Sequence, residues 1–167
     1  MTTISRLHRI FYDFLISVKL PSLYAEVLNL VLLTVLVFIV ATILNYFFKN
    51  SISKIFKSLS KNTKTNFDDY LIENKTPVYI AKLVPVFFIY KVIPFWFFDF
   101  EMFIEYAFLA LEVYLVFLSV WIVKSVLRSV KFYLKTVDSL KDKPIESFIK
   151  VILIFVWFVA VLNIFSI

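Results

Sequence analysis

The chain has 167 residues, 62% of them hydrophobic and 20% aromatic, with no glycine, no cysteine, one histidine and a formal net charge of +6. Because soluble domains are about 45–50% apolar, this composition excludes a water-soluble globular domain and predicts an all-α, multi-pass membrane protein, whose helices lipid can surround. Because the chain has no cysteine, disulfides and thiolate metal sites are excluded. Because it has no glycine, the usual phosphate-binding loops are excluded as well. No cofactor, small-molecule substrate or enzymatic activity is expected.

The first 20 residues have the pattern of an amphipathic helix. Apolar side chains recur at spacings of three and four, at Ile4, Leu7, Phe11, Phe14 and Val18. Asp13 and Lys19 interrupt the apolar stretch and no small-residue cleavage site follows, so the segment does not fit a signal peptide. We predict that residues 1–24 form a helix lying in the membrane interface. Residues 25–167 are predicted to form a four-span transmembrane domain.

Four apolar segments have the roughly 20 residues that a helix needs to cross a bilayer core. They are residues 28–48, 79–98, 103–123 and 148–167. Because only residues 99–102 separate the second span from the third, these two are predicted to form a tight antiparallel hairpin. The helical apolar period continues past the first and third spans, so the connections 49–78 and 124–147 are predicted to be largely helical.

Lysine and arginine in the connections predict the orientation of the spans. The connection 49–78 holds six lysines, the connection 124–147 holds six lysines or arginines, and residues 99–102 hold neither. The two basic connections are therefore predicted to be cytoplasmic and both termini to be outside, although Arg6, Arg9 and Lys19 are a mild counter-signal at the N-terminus. Since the basic residues lie beside apolar spans, nucleic-acid binding is not expected.

Two charged residues lie deep inside predicted spans. At about 1.5 Å per residue, Lys91 lies about 10 Å from the outer end of its span and Glu112 about 13 Å from the outer end of its own. One interpretation is an ion pair across the hairpin, since an unpaired charge near the bilayer centre costs about 2.5–3.5 kcal/mol on insertion scales. The alternative is that Lys91 extends its ammonium outward, while Glu112 is protonated or faces other protein.

Three prolines bear on the ends and bends of the spans. Pro85 and Pro94 each remove a backbone donor inside the second span, which predicts a kink. Such kinks support gating in one interpretation and are ordinary membrane-helix prolines in the other. Pro144, with Glu146 close behind, marks the start of the last span, because proline suits a first helical turn and an acid suits the helix dipole there.

A polar segment at residues 60–73 separates the first two spans. Thr65 and Asp68 have the spacing of a capping box, with aspartate as a shorter stand-in for glutamate, and so predict a short helix. Asp68 and Asp69 point about 100° apart on a helix, and they are not expected to form a catalytic pair or a metal site. We interpret the segment as a capped elbow that joins the first span to the hairpin.

Two motifs resemble the membrane region of one channel family. They are TKTNFDDYLI at residues 63–72 and KPIESFIKV at residues 143–151. The motifs resemble the YbdG-like branch of the MscS mechanosensitive channels in their residues, in their order and in the number of spans that precede them. Lys150 stands where a polar uncharged residue is expected.

The resemblance implies a tension sensor around a homo-oligomeric pore in the bacterial inner membrane, active in osmotic downshock. The pore helix and the cytoplasmic domain of such a channel are expected to lie outside this chain, since closely packed pore helices favour small residues. The alternative is a stand-alone four-span scaffold or accessory subunit whose basic helices bind anionic lipid.

Overall fold

The structure is a computed structural model that describes residues 10–62, 66–137 and 143–166. These residues are helical almost throughout and contain no strand, which confirms the predicted all-α class. The helices are α1 (Ile10–Ser17), α2 (Ser22–Asn62), α3 (Phe67–Glu73), α4 (Thr76–Ala81), α5 (Leu83–Trp96), α6 (Met102–Thr136) and α7 (Ile145–Ser166), with a 3-10 turn at Phe98–Phe100.

Four helical segments are long and apolar enough to cross a membrane: α2, α4 together with α5, α6 and α7. In the apolar window of each segment, between 11% and 22% of the residues are buried inside the protein. Side chains as large as Phe155 and Phe165 are 65% and 86% exposed, and soluble proteins rarely expose so much contiguous apolar surface. The structure therefore confirms a membrane protein with four candidate spans.

Two of these helices extend well beyond the apolar spans predicted for them. α2 runs on to Asn62 and α6 runs on to Thr136. The beginning of each basic connection is therefore helical, as the apolar period predicts.

The described part of the predicted amphipathic helix is α1. Leu15 is buried, whereas Phe14 and Val18 are exposed, so α1 has one apolar side against the protein and another that is uncovered. Lys19 follows with φ of 65°, and the chain then enters α2. Residues 1–9, which carry the start of the predicted helix, lie outside the described residues.

The second span, in which the prolines predict a kink, is divided into two helices. α4 and α5 are separate helices with Lys82 between them. Pro85 explains the interruption, because it has no N–H to donate to the carbonyl of Ala81 four residues earlier and its ring crowds that carbonyl. Pro94 lies inside α5, which ends at Trp96.

The short helix predicted in the polar segment is α3, but its start differs from the prediction. α3 begins at Phe67 with Asn66 as its N-cap, and Asn66 makes no side-chain capping hydrogen bond. Asp68 lies in the first turn, where a carboxylate suits the helix dipole. The predicted cap, Thr65, lies outside the described residues, so its capping box with Asp68 stays a prediction.

The helices divide into two compact units. The first unit comprises the described residues up to Leu44 together with Pro85–Leu111, and the second comprises Asn45–Val84 together with the described residues from Glu112 onward.

In the first unit, α5 packs against α2 and against the start of α6. Trp96 Nε1 donates a hydrogen bond of 2.9 Å to Thr34 Oγ1 on α2. The rings of Tyr90 and Phe108 lie 5.2 Å apart. Nearer the 3-10 turn, the rings of Phe97 and Phe103 form a second pair. This order of contacts is that of an antiparallel hairpin, as predicted.

Candidate functional site

In the second unit, small polar side chains fasten the segment between α3 and α4 to α6. We call these four residues, Asn74, Thr76, Ser125 and Ser129, the polar clasp. The hydroxyl oxygens of Thr76 and Ser125 lie 2.6 Å apart, and Ser125 Oγ donates to the Asn74 carbonyl oxygen at 2.7 Å. Asn74 Nδ2 donates to Ser129 Oγ at 3.2 Å. Thr76, Ser125 and Ser129 are at most 5% exposed, so the protein itself satisfies these groups.

The geometry of the clasp follows from the spacing of its two serines. Ser125 and Ser129 are one helical turn apart and therefore share a face of α6. Their small side chains allow another backbone to come close, as small residues do between membrane helices. Ser129 Oγ donates to the Tyr70 carbonyl oxygen at 2.9 Å, and that carbonyl also accepts the backbone N–H and Nδ2 of Asn74.

Lys75 turns the chain between α3 and α4. Its φ of 62° and ψ of 22° are left-handed, a conformation that glycine usually supplies after a helix. The chain has no glycine, so a lysine occupies the position, at a cost of about 1–2 kcal/mol for a residue with a Cβ atom. The clasp residues on either side, Asn74 and Thr76, hold this turn against α6.

Aromatic pairs continue the contact on both sides of the clasp. They are Phe67 with Tyr133, Tyr70 with Phe132, and Tyr79 with Trp121, whose ring centroids are 5.5, 6.0 and 6.5 Å apart. Residue numbers rise along α3 and α4 while they fall along α6, so these segments are antiparallel. Phe67 and Tyr70 thus share the α6-facing side of α3.

The two aspartates of the polar segment have different surroundings. Asp69 accepts a hydrogen bond from the hydroxyl of Ser60 near the end of α2. This contact joins α2 to α3 across residues that the sequence assigns to an elbow. Asp68, as described above, lies in the first turn of α3.

A basic groove lies where the second half of α6 meets the start of α7. Its volume is about 260 Å³, and its lining residues are Lys124, Arg128, Lys131, Phe132, Glu146, Ile149, Lys150 and Leu153. Lys131 Nζ and Glu146 Oε1 form an ion pair of 2.9 Å. The two side chains are 25% and 51% exposed, so water competes with this ion pair and its net stabilisation is small.

Helical spacing brings the groove's cations together. Lys124, Arg128 and Lys131 occupy positions i, i+4 and i+7 of α6 and therefore share a face. Lys150 comes from the second turn of α7, which begins directly after Pro144. The start of this helix adds the partial positive charge of its free N–H groups.

An open apolar groove of about 440 Å³ lies between an earlier part of α6 and a later part of α7. Glu112, Ser119 and Asn163 supply its polar atoms, while valines, a leucine and Ala160 supply the rest of its lining. Glu112 thus faces a groove in the second unit.

Lys91, the predicted partner of Glu112, lies in the first unit. Its Nζ is 5.6 Å from the ring centroid of Phe87 and 5.8 Å from that of Tyr90, within the range of cation–π attraction. Since Lys91 and Glu112 belong to different units, their ion pair stays a prediction.

Sequence reasoning placed its candidate residues at prolines, deep charges and the two aspartates, and it missed the clasp and the basic groove. Serines spaced by four on an otherwise apolar and basic helix are a signal of the clasp. The groove has a weaker signal, since Lys124, Arg128 and Lys131 look like any basic helix face until Lys150 is placed opposite them.

Across the described ranges, no three His, Cys, Asp or Glu side chains come close enough together to hold a metal ion. Comparisons with protein-family models, with curated proteins and with solved structures found no match. The resemblance to mechanosensitive channels therefore depends on the two short motifs.

Proposed function

We propose that this chain is the tension-sensing membrane portion of a mechanosensitive ion channel. The observation that carries the proposal is the exposed apolar surface of the four spans, of whose apolar windows at most 22% is buried. Tension acts on a membrane protein through the area that it occupies in the bilayer. Helices that face lipid over most of their surface can tilt with little loss of buried protein contact.

The clasp supports the proposal by joining segments that would otherwise move separately. Asn74 and Thr76 are bonded to two serines of α6, and the short α3 and α4 helices are thereby held to that long helix. Tilting of α6 under tension would carry α3 and α4 with it. Such coupled sliding of packed helices is a known form of conformational change.

The proposed sensor has its basic connections in the cytoplasm of a bacterial cell and acts around a homo-oligomeric pore. The four spans are not proposed to line that pore themselves. Closely packed helices in a ring favour small residues, and the chain has no glycine.

Patch recordings of the intact gene product test the channel function. The product is expressed in cells that lack their own tension-gated channels, and suction is applied to excised patches. We expect stretch-activated currents. Silence in cells with confirmed surface expression would contradict the channel function.

A second candidate function is that of a stand-alone membrane scaffold or accessory subunit, and the basic groove is the observation that favours it, because four cationic side chains in one groove suit anionic lipid and do not require a pore. Labels on Lys57→Cys and Lys135→Cys separate the two functions, since the natural chain has no cysteine to label. The distance between the labels is measured in vesicles before and after lysolipid is added to one leaflet. A tension sensor changes this distance, whereas a rigid scaffold keeps it.

A further inference from the structure

We propose that the basic groove between α6 and α7 binds the phosphate of an anionic lipid headgroup, and that Glu146 occupies part of this site when the lipid is absent. The proposal needs only that the chain lies in a membrane, and so it does not depend on the channel function. It is carried by the charge, size and apolar side of the groove.

The groove has an excess of positive charge. Four cationic side chains and one carboxylate line the groove among the residues that the structure describes. Glu146 pairs with Lys131 at 2.9 Å, which leaves the charges of Lys124, Arg128 and Lys150 without a paired carboxylate in the lining. An arginine beside lysines is a good match for phosphate, because its planar guanidinium can donate two parallel hydrogen bonds.

The groove measures about 260 Å³, somewhat below the roughly 300–1,000 Å³ of pockets that enclose drug-sized ligands. It therefore suits a headgroup better than a large soluble ligand. Phe132, Ile149 and Leu153 form an apolar side beside the charges, and this side can contact the start of an acyl chain. Free phosphate has no apolar part that could contact these side chains.

The groove lies at the ends of two candidate spans. Lys124 and Arg128 follow the apolar part of α6, and Lys150 lies near the beginning of α7. Basic pockets at the ends of membrane helices lie at headgroup depth, where they bind anionic lipids. The positive start of α7 points to the same region and also favours an anion.

The role of Glu146 follows from its exposure and its partner. Its side chain is 51% exposed, so it can turn into water at little cost. A phosphate would then replace its carboxylate beside Lys131. The neutral variant Glu146→Gln should consequently bind the lipid more tightly than the natural chain.

The test is native mass spectrometry of the purified full chain in detergent, with phosphatidylglycerol or phosphatidylcholine added. Phosphatidylglycerol should bind at least several times more tightly, since choline neutralises the charge of the second lipid. Lys124→Gln with Arg128→Gln should weaken phosphatidylglycerol binding by about 10- to 30-fold, as expected for two surface charges. Lys54→Gln with Lys57→Gln on α2 is the matched control, and it should change binding less than 2-fold.

Glu146→Gln is the control for misfolding. It should strengthen phosphatidylglycerol binding by several-fold, and a misfolded protein would not bind more tightly. Inorganic phosphate distinguishes the two possible sources of the anion. If 10 mM phosphate displaces the lipid completely, the site is one for free phosphate and the proposal is overturned. Equal losses in the groove variant and in the control variant, or no gain with Glu146→Gln, would overturn it as well.

Discussion

Thr76 and Ser125 share a buried hydrogen bond of 2.6 Å between their hydroxyl oxygens, although 49 residues separate them in the chain. Thr76 begins α4 and Ser125 lies in the second half of α6, so the bond fixes the register between these helices. Ser125 also donates to the Asn74 carbonyl. The pair is therefore the centre of the clasp.

Ser125→Ala should lower the free energy of unfolding by about 1–2 kcal/mol. The change leaves the Thr76 hydroxyl and the Asn74 carbonyl without this partner, which typically costs about 1–3 kcal/mol when the groups are buried, while membrane hydrogen bonds reach at most about 1.7 kcal/mol. Unfolding in mixed micelles, followed by circular dichroism, measures the loss. Ser119→Ala is the matched control, because Ser119 is exposed and bonds only to the Leu115 carbonyl of its own helix. A loss as large in the control would contradict a special role of the clasp.

Lys75→Gly should stabilise the protein. Glycine removes the cost of about 1–2 kcal/mol that a left-handed backbone imposes on lysine. The greater freedom of glycine in the unfolded chain reduces this gain in stability by about 0.5–1 kcal/mol. The expected net gain is about 0.5–1 kcal/mol, measured as a rise of the unfolding midpoint. Lys57→Gly, in the exposed interior of α2, should instead cost about 1 kcal/mol. If both changes destabilise the protein equally, the turn at Lys75 is not left-handed.

Cysteine labelling should place the two basic connections on one side of the membrane and the hairpin turn on the other. A membrane-impermeant maleimide added to intact cells should label Met102→Cys and leave Lys57→Cys and Lys135→Cys unlabelled until the cells are opened. Met102 is 71% exposed, so its labelling reports sidedness and not burial. The reverse pattern would mean that the orientation predicted from lysine and arginine is wrong.

Lys91 and Glu112 should show strong coupling if they pair. Lys91→Met and Glu112→Gln are then each expected to destabilise the protein as much as the double variant does, because the first change already leaves the second residue without its partner. Thermal unfolding of the three variants in the same detergent gives the comparison. Losses that add up in the double variant would count against the pair and would favour separate surroundings for the two charges.

Local patterns in the sequence were enough to predict the four apolar spans. The composition predicts a membrane protein whose apolar surface is covered by lipid. The spacing of apolar residues predicts the four spans and the extension of α2 and α6 beyond them. These are local properties, since each depends on residues within one or two helical turns. Pro85 is also a local signal, and it predicts that the second span is disturbed nearby, although the break itself falls at Lys82.

The clasp and the basic groove needed the tertiary structure. Ser129 and Asn74 are 55 residues apart, and Lys150 meets Arg128 only because α7 returns alongside α6. The partner of a polar side chain is a non-local property, and hydropathy contains no information about it. The sequence by itself therefore determined that this is an all-α membrane protein and where its four apolar spans lie. The tertiary structure decided which polar residues meet, because only packing brings distant positions within hydrogen-bonding distance.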